Sequence, residues 1–212
     1  MARQRDVTAN LGSRPPAASG MTGPAVSACR GGAIHLRPLT LADVGERYVA
    51  WLNDPAVNRF LETRHQVQTL ETVRSFVAVN SGRADRRLFA ICLNETERHI
   101  GNIKVGPIKP NHALADVSLF IGERDCWGKG HATEAITLAS RFAFARMPVM
   151  KLSASFYAWN VASIRAFLKA GYREEGLRRR HYLLDGTLSD IVELGLCAED
   201  YGYAGRDAAA HD

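Results

Sequence analysis

The stretch Cys126-Trp127-Gly128-Lys129-Gly130-His131-Ala132-Thr133-Glu134-Ala135 constrains the rest of the chain more than any other. It stands between a strand-like run, Val117 to Ile121, and a segment in which Ala135, Ile136, Leu138, Ala139, Phe142 and Ala143 share one broad face. That recurrence is the spacing of a helix laid on a sheet, and it predicts a helix to about Arg146. A glycine-rich turn feeding a helix N-terminus presents unpaired N–H groups and the positive end of the helix dipole. Together these make a site for phosphate or pyrophosphate. Gly128 and Gly130 let the backbone approach such an anion without a Cβ in the way. Glycine ahead of a helix is also ordinary turn chemistry, and this stretch by itself supports both readings.

The flanking pattern is mixed α/β. Ile34 to Leu39 alternates as a first strand, and Leu41 to Leu52 reads as a helix with Val44, Tyr48, Val49 and Leu52 inward. Asn53-Asp54-Pro55 stops it, and Thr69 caps a second helix through Val79, with Glu71 favouring the dipole from its first turn. Strands are expected at Leu88–Leu93, Ile100–Val105 and Ala113–Ile121, then the central helix, which Met147-Pro148 ends. A strand at Leu152–Tyr157 leads to a short helix, Val161 to Ala170, closed by Gly171. Tyr172–Tyr182 and Leu188–Leu196 form a hairpin around Asp185-Gly186, a type I′ signal. The order β-α-α-β-β-β-α-β-α-β-β gives about seven strands and about four helices, with no Rossmann repeat and no solenoid period.

Residues 1–33 are rich in Ala, Gly, Ser, Pro and Arg without periodicity, so a disordered extension is expected there, with Met21 as an alternative start. The folded domain is expected over 34–203 and a flexible tail over 204–212. No apolar run reaches the roughly 18 residues of a membrane span, and no secretory h-region opens the chain, so a cytoplasmic protein with no membrane partner is expected. The net charge is +5, of which the first 33 residues hold +3 (Arg3, Arg5, Arg14 and Arg30 against Asp6), leaving +2 for the rest. That is too little to argue for nucleic acid. Cys29, Cys92, Cys126 and Cys197 are widely spaced and read as reduced thiols, and no ligand spacing for a metal occurs.

The stretch from Trp127 to Ala132 resembles the acetyl-coenzyme A pyrophosphate loop of the GCN5-related N-acetyltransferases. The family pattern is Gln/Arg-x-x-Gly-x-Gly/Ala. Gly130 and Ala132 match its last two fixed positions, and Trp127 replaces the first. A Trp-Gly-x-Gly-x-Ala-Thr-Glu-Ala version is similar to the branch that resembles ribosomal-protein N-acetyltransferases. The resemblance covers about Ile34 to Tyr201 and implies a central, mostly antiparallel twisted sheet whose fourth and fifth strands splay to admit the pantetheine arm. It implies acetyl-coenzyme A as donor, held by Trp127, Gly128, Lys129, Gly130, His131, Ala132 and Thr133.

Further roles come with the same resemblance. The backbone of Leu119, Phe120 and Ile121 would polarise the acetyl carbonyl and pair with pantetheine. Asp116 falls where many relatives carry an acid discussed as a base through water, and a solvated strand-end carboxylate explains it as well. Trp159 to Arg165 resembles the family's Asn-x-x-Ser helix entry, placing Asn160 on the pantetheine arm and Ser163 near the sulfur. Ala166 to Tyr172 resembles Leu-Tyr-x-Lys-x-Gly-Phe, but Phe167 stands where the tyrosine proposed to protonate the thiolate would be. The resemblance thus keeps Phe167 as a cofactor-binding position and passes the acid's role to Ser163, to a water or to nobody. Trp51 and Asn53 lie in a segment that walls the acceptor site in that branch, and His181 and Tyr182 lie in the hairpin beside it. In a regular strand Arg178, Arg180 and Tyr182 would share one face, and Arg179 and His181 the other.

The chemistry expected is direct attack of a bound amine on the thioester in a ternary complex. No cysteine or serine is paired with a His/Asp relay to form a covalent intermediate. The acceptor expected is a small-molecule amine, such as an amino sugar or antibiotic, with a protein N-terminus as the alternative. A catalytically weak acyl-coenzyme A binding module is the contrasting class, suggested by Phe167. The branch also makes a homodimer the assembly to test.

Overall fold

The computed structural model describes residues 29–202. The extension through residue 28, the Met21 start and the tail 204–212 lie outside the described residues. The strands are β1 (Cys29–Arg30), β2 (Ile34–Pro38), β3 (Arg87–Leu93), β4 (His99–Lys109), β5 (Leu114–Ile121), β6 (Lys151–Tyr157), β7 (Arg173–Leu184) and β8 (Thr187–Cys197). They form one sheet in the order β1-β2-β3-β4-β5-β6-β8-β7, and every neighbouring pair is antiparallel except β5 with β6. Five α-helices accompany them: α1 (Glu46–Asn53), α2 (Pro55–Asn58), α3 (Leu70–Asn80), α4 (His131–Arg146) and α5 (Val161–Lys169).

Two cores lie on opposite faces of the sheet. On one, α4 and α5 bury Ile136, Ala139, Phe144 and Phe167 against Ile103, Val117, Leu152 and Leu194. On the other, α1 and α3 bury Tyr48, Trp51, Leu52, Val73 and Val77 against Leu88, Ala90 and Cys92. The second layer covers mainly β2 to β4. The same face of β6 and β8 carries Ser153, Ser155 and Glu193 instead, and helix gives way there to a polar floor.

Four local features depart from the sequence expectations. The sheet begins at Cys29, because Cys29 and Arg30 pair with Leu36 and His35. Glu134 fastens that turn by accepting the Ala33 N–H at 3.1 Å, a contact across the chain that composition does not reveal. The first helix starts at Glu46 and not at Leu41. Thr40 and Asp43 close a 3-10 turn over Leu41–Asp43, and extended Gly45 then caps α1. Asn53-Asp54-Pro55 ends α1 as expected but also starts α2, since Asp54 accepts the Ala56 N–H at 2.8 Å and Pro55 has no N–H that would need an acceptor.

The fourth departure breaks the alternation of β7. Arg178 pairs with Ile191 and Tyr182 with Ser189, so three residues of β7, Arg179 to His181, run opposite one of β8, Asp190. Arg180 takes φ 48°, and the Asp190 carboxylate holds the bulge by accepting its N–H at 2.7 Å. The two-face assignment of Arg178, Arg179, Arg180, His181 and Tyr182 does not survive this bulge. The hairpin tip agrees with expectation, with Asp185 at φ 51° and Gly186 at 78°.

Candidate active site

The site opens where β5 and β6 part. Their parallel pairing covers Leu114–Lys151, Ala115–Leu152 and Asp116–Ser153 and then stops, although β5 continues to Ile121 and β6 to Tyr157. Beyond Asp116, β5 is paired on its β4 side alone. Gly122 donates its N–H to the Ile100 carbonyl at 2.8 Å, so by antiparallel alternation the backbone groups of Leu119 and Ile121 turn toward the open edge. The indole of Trp127 confirms the direction by donating to the Ile121 carbonyl at 2.9 Å. Phe120 differs from its two neighbours. The same alternation turns its backbone into the β4 ladder, and its ring packs on Tyr48 at 6.0 Å.

The loop at the end of this edge has the conformation of an anion cradle. Gly128 and Gly130 take φ 73° and 86°, a region that suits glycine. A Cβ built on either meets nothing within 4 Å, so the backbone angle, more than crowding, calls for glycine here. The first helical bond of α4 runs from Glu134 N–H to Gly130 O, at 3.1 Å. Among the described residues the N–H groups from Lys129 to Thr133 find no acceptor, and His131 Nδ1 is buried without a hydrogen-bond partner. A row of free donors at the N-terminus of a sixteen-residue helix, beside Lys129, fits a pyrophosphate.

On the α5 side, Asn160 caps the helix by accepting the Ser163 N–H at 3.3 Å, and its side chain also borders a small pocket at the open edge. Phe167 is 0% exposed, with its ring between Phe156 and Tyr172, each at 4.8 Å. It belongs to the core under the site. On the opposite face Asp116 is half-exposed, accepts the Ser153 hydroxyl at 2.6 Å and lies 3.6 Å from Lys109 Nζ. Burial pushes the Cys126 thiol above its ordinary range, which agrees with a packing role and not a nucleophilic one.

The residues expected to wall the acceptor divide. Trp51 is 6% exposed and lies flat against Gly122, where a Cβ would stand 2.2 Å from the ring. Its indole N–H goes to Glu123 at 3.1 Å, so Trp51 braces the end of β5 from within the core. Asn53 lines a cleft of about 730 Å³ between α2 and the hairpin tip. Both ends of its amide are spent on the Gln68 backbone, at 2.8 and 2.9 Å, which makes it a latch for the cleft wall. Tyr182 is half-exposed and lines the small pocket, with the His181 ring tilted against it at 4.6 Å.

Residues that the sequence reading did not single out complete the site. The small pocket, about 220 Å³, is bordered by Phe60, Glu62, Ser155, Phe156, Tyr157 and Tyr182 besides Asn160. The Tyr157 hydroxyl donates to Glu62 at 2.7 Å and accepts from Arg64 at 2.9 Å. Burial pushes its phenol above the ordinary value, so it stays protonated in the neutral range. A second trio lies alongside: Ser155 donates to Glu193 at 2.5 Å, and Arg178 approaches the other Glu193 oxygen at 2.6 Å. No local motif marks either trio. Their only sequence trace is Ser153, Ser155 and Tyr157 alternating onto one face of β6.

The split parallel strand pair, the glycine loop and the helix N-terminus together place an anion cradle beside a free strand edge. The chain belongs to the GNAT acetyltransferases: the family model described as "Acetyltransferase (GNAT) domain" matches residues 33–173. It is 25% identical to the N-acetyltransferase p20 of Bacillus licheniformis over 172 residues, 79% of this chain and 94% of that one. It is 32% identical to the SPbeta prophage-derived N-acetyltransferase YokL of Bacillus subtilis over 149 residues, 70% of this chain and 82% of that one. Two solved structures share the fold. The spermidine N-acetyltransferase of Vibrio cholerae, in complex with CoA and spermine, aligns at TM-score 0.71 and 18% identity, covering 80% of this chain and 98% of that one. RimL, a ribosomal L7/L12 alpha-N-protein acetyltransferase in complex with coenzyme A, aligns at 0.72 and 16%, covering 80% and 97%.

The protein is therefore an acetyl-CoA-dependent N-acetyltransferase on an eight-stranded GNAT sheet. Among the described residues no group of His, Cys, Asp and Glu could hold a metal ion, and no helix is long and apolar enough to cross a membrane.

Proposed function

We propose that the protein acetylates a small-molecule primary amine in a ternary complex, with amino sugars and antibiotic amines among the first acceptors to test. The observation that carries this reading is the pair of openings on either side of one gap. The pyrophosphate cradle and the free edge of Leu119 and Ile121 lie toward α4, and the pocket at Glu62, Tyr157 and Tyr182 lies on the other side of Asn160. Donor and acceptor can thus reach the same point from opposite directions.

Acetyl-coenzyme A supplies an acetyl group activated as a thioester. The nitrogen lone pair forms the C–N bond as the C–S bond breaks, the ammonium proton goes to a base, and the thiolate leaves and takes a proton. The chain's part is to hold and polarise. The free N–H groups of Lys129 to Thr133 and the Lys129 ammonium bind the pyrophosphate, and the backbone N–H of Leu119 or Ile121 faces the acetyl oxygen. Asn160, which caps α5, is the residue proposed to bond the pantetheine arm, and Ser163, three residues on, the one proposed to lie close to the sulfur. Asp116, already oriented by Ser153, is the proposed final proton acceptor, reached through a chain of waters along β6. Phe167 carries no hydroxyl and is sealed in the core, so the thiolate takes its proton from Ser163 or solvent.

The test is thiol release from acetyl-coenzyme A across amino sugars, aminoglycosides, polyamines and short peptides with free N-termini. Release above background with one small amine class is expected. Release with peptides alone would replace the small-molecule reading by protein N-terminal acetylation. No release with any amine, together with no thermal shift by coenzyme A, would overturn the proposal.

A further inference from the structure

The pocket beside Asn160 is lined by rings and one carboxylate. Four rings, Phe60, Phe156, Tyr157 and Tyr182, share its wall with one carboxylate, Glu62. Aromatic faces beside a carboxylate attract an ammonium by the ring quadrupole and by charge together. The volume, about 220 Å³, equals roughly seven waters at ~30 Å³ each, enough for an amine and a few carbons. Glu62 is both fixed and available. Tyr157 fixes Oε1 at 2.7 Å, His65 is 3.8 Å from Oε2, and the side chain is 71% exposed.

Outside this wall the sign of charge reverses. The Arg64 guanidinium lies 5.0 Å over the Tyr157 ring, and the Arg59 guanidinium 5.4 Å over the Phe60 ring. Both arginines also line the cleft of about 730 Å³ that continues toward the hairpin tip, where Asp185, paired to Arg59 at 3.1 Å, is the one acidic lining residue among the described residues. An ammonium seated on Glu62 neutralises the carboxylate nearest Arg64, which is 3.5 Å from it. The cleft is then left with two arginines against Asp185, and a second cation on the acceptor meets repulsion while an anion meets attraction.

We propose that the acceptor is zwitterionic: a primary ammonium sits in the aromatic pocket against Glu62, and a carboxylate or phosphate farther along the molecule faces Arg64 and Arg59. The inference rests on the acetyltransferase reading and narrows its substrate class. It separates this site from one built for polyamines, which would need a second carboxylate where the arginines stand.

The experiment compares 5-aminopentanoate, 4-aminobutyl phosphate, 1-aminopentane and 1,5-diaminopentane by kcat/KM, with coenzyme A thermal shifts as a check on folding. One or both anionic amines should exceed the diamine at least tenfold, and the better of the two tells carboxylate from phosphate. Glu62→Gln should lower turnover of every amine more than tenfold while the coenzyme A shift is kept. Arg64→Gln should flatten the ranking by charge, and Arg59→Gln, at a more exposed position, serves the same end if the first variant fails to fold. A diamine used as well as the anionic amines, or a Glu62→Gln enzyme unchanged in kcat/KM, would overturn the inference. Coenzyme A binding with none of the four amines accepted would also overturn it while leaving the donor site standing. Loss of coenzyme A binding in the wild-type protein would count instead against the acetyltransferase reading.

Discussion

At the scale of single residues, the backbone angle of Gly130 and the burial of Phe167 make opposite demands. Gly130 holds φ 86° with open space around its missing Cβ, so alanine there should cost about 1–2 kcal/mol through the backbone alone. Gly130→Asn should cost less, since asparagine tolerates the left-handed region. Thermal melts and coenzyme A affinity of the two variants check this, and equal losses would point to sterics instead. Phe167 sits in a dry core between Phe156 and Tyr172. Restoring the family hydroxyl by Phe167→Tyr should therefore destabilise the fold by about 1–3 kcal/mol, the cost of an unpaired buried polar group, with no rise in kcat. A rise in kcat without a loss of stability would show that the hydroxyl reaches the sulfur after all. Phe167 was expected to touch the cofactor, and its burial between Phe156 and Tyr172 depends on packing that no local pattern shows, while Gly130 was legible from the chain because it lies in a short local pattern. Trp51 was not: it reads as an acceptor-wall residue until Gly122, 71 positions on, is seen to leave the gap its ring fills.

Elements of structure were legible to the extent that their determinants were local. The turn at Asp185-Gly186, the cap at Thr69 and the helix after Gly130 each carry their signal within a few residues. Strand β1 and the bulge of β7 do not, because their support comes from Glu134 and Asp190, distant in sequence. The same holds for Glu62, Tyr157 and Arg64, which meet across more than ninety residues. Glu134 offers a test at this scale. Its carboxylate takes the Ala33 N–H from the fourth position of α4 and so ties the β1–β2 turn to the helix that carries the cradle. Glu134→Gln keeps the shape but loses charge, and about 1 kcal/mol of stability should go with it. Hydrogen exchange should then speed up around Gly31 to Ala33 and stay unchanged in the β7–β8 hairpin. Uniform acceleration would mean that the contact supports the whole fold.

For the whole molecule, the two cores cover opposite faces of one sheet, and the pairing of β5 with β6 stops after Asp116–Ser153, where the proposed donor and acceptor sides would meet. The second core also sets a pH response. His99 is buried against Trp51 at 5.1 Å and shares its Nε2 proton between the Gly101 carbonyl and Asn102, and burial holds its pKa below the ordinary value near 6.5. The unfolded chain then takes up the proton first as pH falls. Stability tied to neutral His99 is complete above about 6.5 and is lost progressively below it, toward the folded pKa. Melting temperature should fall between pH 7 and pH 5, and His99→Gln should flatten that slope. An equally steep slope in the variant would assign the effect elsewhere. The most direct test of the central claim is calorimetric binding of coenzyme A beside pantetheine, which lacks the pyrophosphate, to the wild-type protein and to Gly130→Ala. Coenzyme A should bind far more tightly than pantetheine, and the variant should lose most of that difference. Equal affinity for the two ligands, or a difference unaltered by Gly130→Ala, would contradict a pyrophosphate site at the N-terminus of α4.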